Sequence, residues 1–296
     1  MFRAAVAASL AVFVLAACAS GQDWRTASQE PVGLAPDPAL TPEAVVQVYG
    51  ARAVNWRGYF GIHTWIAAKP RNAARYTVYE VIGWRLRWAD SAVVIHERHP
   101  DGRWFGNPPE LLAERRGPGV DELIARIDKA ARAYPYATEY SVWPGPNSNT
   151  FTAWVARAVP ELELDLPATA IGKDYLGNGI IGTPPSGHGL QVSFSGLFGV
   201  IVSGVEGVEL NVLGLAFGVN PFSPSLKLPF VGRVGTARVN GAAAAETRAA
   251  SRSGEAGREP SGNAPRQRAE IRQEPGGRLA TDTQGTHRQE QGAGHP

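Results

Sequence analysis

Three side chains carry the chemistry this sequence offers: His63, Glu80 and Ser148. A serine hydroxyl attacks a carbonyl only when a base takes its proton, and imidazole is the usual base near neutrality. A carboxylate bonded to the second ring nitrogen holds that imidazole in the useful tautomer. Ser148 belongs to the stretch PGPNSNTFTAWVARAVPEL, residues 144–162, where a Pro/Gly turn runs into Asn147-Ser148-Asn149. After it, Phe151, Trp154, Val155 and Ala158 repeat at i, i+3, i+4 and i+7. That spacing predicts a short amphipathic helix, stopped at about Val159 by Pro160. A hydroxyl at such a helix start feels a positive dipole worth about 0.3–1 kcal/mol, under one pKa unit. The dipole alone does not deprotonate serine, so His63 or His96 must act as base. The plainer role is capping: Asn147 and Ser148 are both good residues for the helix N-terminus.

His63 lies in the apolar run YFGIHTWIAA, where alternation puts it on one face with Gly61 and Trp65, opposite Ile62, Thr64 and Ile66. It reads either as a partly buried histidine donating to a carbonyl or as a general base; a metal ligand is the third reading. Glu80 sits mid-strand in RYTVYEVIGW, sharing a face with Tyr76, Val78 and Ile82. A carboxylate there needs a partner. It either orients His63 or pairs with Arg85 or Arg87, and His96 competes for the orienting role. The run His96-Glu97-Arg98-His99 lacks the helical i, i+4 histidines of a zincin, and i and i+3 point to opposite faces of a strand. No metal and no other cofactor is expected.

The elements that must position these groups are strands over 44–50, 59–68, 75–84 and 92–96, separated by turn signals, and a helix over 120–133 ahead of the one at Ser148. The expected fold is α+β: an antiparallel sheet with two short packed helices, extended by a Gly-rich β-hairpin. The hairpin is expected in 190–219, where Gly204-Val205-Glu206-Gly207 marks a turn between two apolar segments. Burial against the first sheet is the leading expectation, and a surface that touches lipid or a partner is the alternative. A membrane span is disfavoured, because Glu206, Glu209 and Asn211 fall near its middle. In 163–185, Gly172-Lys173-Asp174 lacks the Walker spacing, and the Lys173/Asp174 pair is expected to be solvated.

The chain has 296 residues, 44% hydrophobic and 19% charged, with a net charge of +2, so it can build a core and carries no nucleic-acid footprint. Its one cysteine, Cys18, excludes an internal disulfide and a cysteine nucleophile elsewhere. Met1-Phe2-Arg3 followed by apolar residues 4–15 reads as a signal peptide too short to span a bilayer. Leu15-Ala16-Ala17-Cys18 resembles a bacterial lipobox, which implies cleavage after residue 17 and lipidation of Cys18. Ala19, which is not Asp, favours an outer-membrane lipoprotein facing the periplasm. The expected partners are therefore the membrane, through the anchor, and an envelope polymer or protein. The predicted organisation is a leader 1–17, a lipidated tether 18–41, an α+β domain 42–162, its hairpin extension 163–239, and a tail 240–296. From Gly241 the tail mixes eight arginines with seven acids and has Ile271 and Leu279 as its large aliphatics, too few to bury a core.

The 77–84 segment TVYEVIGW, with NSNTF at 147–151 and AIGKDYL at 170–176, carries a resemblance to a bacterial family of domain of unknown function 3750. The resemblance spans about residues 42–235 and implies no established activity. More remotely, the order strand-histidine, polar strand residue, helix start resembles circularly permuted papain-like proteins, the cell-wall amidopeptidases and lecithin-retinol acyltransferase relatives. That likeness implies His63 as base, Glu80 or His96 as orienter and Ser148 at the nucleophile position, where those proteins have cysteine. It implies a hydrolase or acyltransferase acting on envelope amides or esters; the alternative is a non-catalytic envelope binding or structural module.

Overall fold

A computed structural model of the chain describes residues 25–236. The leader, Cys18 and the tail from 240 lie outside the described residues. All described residues belong to one compact unit.

The first sheet has five antiparallel strands in the order β4-β3-β2-β1-β5. They are β1 Val45–Arg52, β2 Ile62–Lys69, β3 Thr77–Val81, β4 Val93–Glu97 and β5 Glu110–Arg116. The even positions of β2, Ile66 and Ala68, face a core shared with helices α1 (Val120–Arg132) and α2 (Ser148–Ala158). The odd positions, Trp65 and Ala67, face a second cluster with Val45, Tyr49, Tyr76 and Val78. Period-two alternation thus sends His63 and Thr64 to opposite faces.

Two expected strands are shorter than their apolar runs. Asn55–Tyr59 (NWRGY) and Gly83–Arg87 (GWRLR) are 3₁₀ turns, each presenting a tryptophan and arginine. Strand β5 escaped the sequence reading because ELLAERR is half charged, which suits the edge position it occupies. The expected tether is partly structured. Asp101 accepts the backbone N–H groups of Leu34 (2.6 Å) and Ala35 (3.2 Å), and Tyr76 donates its hydroxyl to the Pro36 carbonyl.

The Gly-rich extension is larger than one hairpin. Strands β6 Ile181–Gly182, β7 Leu190–Phe194, β8 Phe198–Ser203, β9 Gly207–Val212, β10 Leu215–Asn220, β11 Ser225–Leu228 and β12 Gly232–Gly235 form a seven-stranded antiparallel meander. The 204–207 turn joins β8 to β9, as the glycines predict. The expected apolar burial against the first sheet is reversed: the inward face is polar, with Gln191, Ser193, Glu209, Asn211 and Lys227 buried, while Val200, Leu210 and Phe217 point to solvent. The inward face is held by charge. Lys173 donates to Asp174 (2.9 Å) and Glu209 (2.6 Å), Lys227 bonds both Asp165 and Glu209, and Arg233 bonds Asp165. Burial would push the Glu209 carboxyl up, but Lys173 and Lys227 outweigh it and hold it below the usual carboxylate range. Lys173 and Asp174, expected in water, are 2% and 5% exposed because the meander closes over them.

Candidate functional site

Asn147 caps helix α2. Its Oδ1 accepts the backbone N–H groups of Asn149 (2.9 Å) and Thr150 (3.2 Å), and Thr150 Oγ1 reaches back to the Asn147 N–H (3.1 Å), a reciprocal capping box. The AIGKDYL segment wraps this cap. Asn147 Nδ2 donates to the Ile171 carbonyl and Thr150 Oγ1 to the Gly172 carbonyl. Gly172 has φ +95°, and a Cβ there would lie 2.4 Å from the Asn147 amide. Only glycine lets the chain pass so close with that backbone. The cap is therefore complete without Ser148, the first residue of α2. Among the described residues Ser148 Oγ makes no hydrogen bond, although the residue is only 4% exposed.

The first turn of α2 is stitched to the start of β2. Asn149 Nδ2 donates to the carbonyls of Ile62 (3.0 Å) and Ile171 (2.8 Å). Thr64 Oγ1 lies 3.0 Å from Asn149 Oδ1 and 2.9 Å from Thr152 Oγ1. Strand β2 pairs with β3 only from Ile66↔Tyr79 to Ala68↔Thr77. Ahead of Ile66 the two strands have no register, and a cleft of about 680 Å³ opens beside them. His63, Ser148, Val81 and Ile62 all line it.

On the opposite face of the sheet Glu80 is a hub. It is 1% exposed. Its Oε2 lies 2.9 Å from His63 Nε2; its Oε1 lies 2.9 Å from His96 Nε2 and 3.2 Å from Arg98 Nε. An ionised carboxylate only accepts, so both imidazoles donate Nε2–H, and Nδ1 of a neutral His63 is left as the acceptor. Burial opposes ionisation of Glu80; the bonds from His63 and His96 and the Arg98 charge outweigh it and keep the carboxyl well below its usual range. Burial pushes the His63 ring below its ordinary 6.5, against the opposing pull of Glu80, so the ring is neutral at pH 7. The ring is also clamped. Trp104 stacks on it at 3.7 Å between centroids and 14° between planes, and Trp65 lies at 5.7 Å. Arg98 in turn sits 4.9 Å above Trp65.

The structure brings His63 to Glu80 and puts His63 and Ser148 on one cleft. His96 touches Glu80 on the far side from His63, so it does not orient the base. Arg98, not Arg85 or Arg87, is the arginine at Glu80; Arg85 donates to the Ser91 carbonyl. Trp104 and Arg98 escaped the sequence reading. The available signal was an aromatic residue in the Gly/Asn-rich turn Asp101–Asn107, and an arginine one residue beyond β4.

A family model described as Protein of unknown function (DUF3750) matches residues 43–175. The match ends within AIGKDYL, so it takes in both sides of the cap and stops short of the seven-stranded meander. No curated protein and no solved structure matches the chain.

Proposed function

We propose that the domain over residues 43–175, which matches the DUF3750 family model, is a serine-dependent hydrolase or acyltransferase of the bacterial envelope, held to the outer membrane through a lipidated Cys18. The observation that carries the reading is the division of labour at the helix start. Asn147 does all the capping, which leaves the Ser148 hydroxyl uncommitted in a cleft whose lining also includes a carboxylate-bound, neutral histidine. In the reaction, Ser148 Oγ attacks the carbonyl carbon of an ester or amide and His63 Nδ1 takes its proton. The proton passes to the departing alkoxide or amine, leaving an acyl-serine, which water or an acceptor hydroxyl then resolves by the reverse sequence. Glu80 keeps the proton on Nε2 and stabilises the imidazolium. The oxyanion is served by the N–H of Ser148, since Asn147 occupies those of Asn149 and Thr150. The order of these groups remotely resembles that of permuted papain-like proteins, with serine where they have cysteine.

A second reading, a non-catalytic envelope binding module, is favoured by one observation: among the described residues no hydrogen bond joins Ser148 Oγ to His63. Fluorophosphonate labelling of the chain beside Ser148→Ala and His63→Ala separates the two. Labelling lost in both variants supports the enzyme; a folded, unlabelled wild type supports the binding module.

A further inference from the structure

The seven-stranded meander has its polarity inverted for a protein in water. Every outward position from β7 to β10 is Leu, Val or Phe: Leu190, Val192 and Phe194, then Phe198, Val200 and Val202, then Val208, Leu210 and Val212, then Leu215, Phe217 and Val219. Leu226, Leu228 and Val234 continue the face across β11 and β12. Strand spacings of about 4.8 Å and rises of about 3.4 Å per residue give it roughly 500 Å², the upper end of what a soluble monomer leaves exposed. Strands of four to six residues are too short to cross a bilayer, which takes about nine to eleven. The face can therefore lie on a membrane but not span it.

What borders the face identifies its occupant. Leu215 and the neighbouring turn residue Leu213 both line the cleft, and Trp143 donates Nε1–H to the Leu213 carbonyl. Phe230, in the β11–β12 turn, packs edge-on against Phe60 at 5.3 Å. The face thus runs into the cleft rim, where Trp56, Trp84 and Trp143 are exposed. Arg57 and Arg87 stand among them, and neither has an ion pair among the described residues. Tryptophan favours the headgroup level, where an apolar ring body and a polar edge are both satisfied. Unpaired arginines there complement anionic headgroups. A second copy of the chain would bring the same positive rim and no acid on the face to meet it.

We propose that the outward face of β7–β12, with the Trp/Arg rim of the cleft, docks on an anionic phospholipid bilayer, so that the cleft opens at the headgroup layer. The surface does not depend on Ser148 being reactive. The test uses the full chain mixed with vesicles of phosphatidylglycerol and phosphatidylethanolamine whose acyl chains are brominated, against the same vesicles without bromine. Docking brings the rim tryptophans within reach of the bromines, so emission falls on the brominated vesicles. Leu210→Asp with Phe217→Asp abolishes that loss while any lipid anchor is intact. Arg57→Glu with Arg87→Glu weakens docking by about fivefold per charge removed, and by less in added salt. If the sheet variant does not fold, the rim variant, which leaves the sheet untouched, decides alone. Equal quenching of wild type and variants would mean that an anchor alone holds the protein there, and would overturn the proposal. So would an unquenched wild type, or a wild-type dimer in sedimentation that the Asp variant converts to monomer.

Discussion

Replacing Glu80 with glutamine tests the candidate site at its hub. The carboxylate is 1% exposed and accepts three bonds, at 2.9, 2.9 and 3.2 Å. Glutamine keeps the volume but has one acceptor oxygen and an NH₂ group in place of the other. If the oxygen serves His96 and Arg98, the amide faces His63 Nε2 as a donor. His63 must then carry its proton on Nδ1, and the lone pair needed by Ser148 is lost. The expected loss of fluorophosphonate labelling is on the order of 10²–10⁴-fold. Charge-assisted bonds to buried groups contribute about 1.5–3 kcal/mol each, and the amide recovers part of that. A net destabilisation of about 2–4 kcal/mol follows, a fall in the urea midpoint of about 1–2 M for ordinary slopes. Both readouts come from one purified variant: labelling rate against pH, and urea unfolding followed by tryptophan emission. The reasoning fails if E80Q is destabilised as expected but labels Ser148 at the wild-type rate, because Glu80 would then stabilise the sheet without setting the tautomer of His63.

Three further outcomes are expected. Asn147→Ala removes the α2 cap, for which about 0.5–2 kcal/mol is usual; it also removes bonds to the Val142 and Ile171 carbonyls, so about 2–3 kcal/mol should be lost in thermal or urea unfolding. Lys227→Ala leaves Asp165 and Glu209 facing each other in a buried site without their shared cation, and should cost about 3–5 kcal/mol by the same assay. Acid should destabilise the fold in two windows. His63 titrates below its ordinary 6.5 when folded, so the unfolded chain binds more protons there; its contribution is complete above pH 6.5 and is lost as pH falls toward the folded value, at up to about 1.4 kcal/mol per pH unit. Glu80 is likewise held down, so its contribution is complete above its ordinary 4.5 and is lost at lower pH. Urea midpoints measured against pH check both windows, and His63→Gln should flatten the upper one.

The sequence by itself determined the local geometry of this protein. Alternation in GIHTWI set His63 and Trp65 against Thr64 and Ile66, because a strand has a period of two and no way to slip it without exposing the core. The i, i+3, i+4, i+7 spacing after Asn149 set the buried face of α2, and Pro160 set its end. The 204–207 turn was legible for the same reason: glycines punctuate where positive φ is needed. What the sequence left open was every choice between equivalent local partners. Asn147 and Ser148 were equal candidates for the cap until Ile171 and Gly172, more than twenty residues on, enclosed Asn147. Arg85 and Arg87 were the candidates for Glu80, but the β3–β4 register placed His96 opposite Val78 and brought Arg98, two residues on, to the carboxylate instead. The polarity of the meander could not be read from its alternation, which is the same whichever face turns inward. Lys173, Asp165 and Arg233 decided it, by holding Glu209 and Lys227 between them and leaving the Leu, Val and Phe positions outside. Periodicity is a property of neighbours along the chain; burial and pairing are set by residues far apart in sequence, and only tertiary structure brings those together.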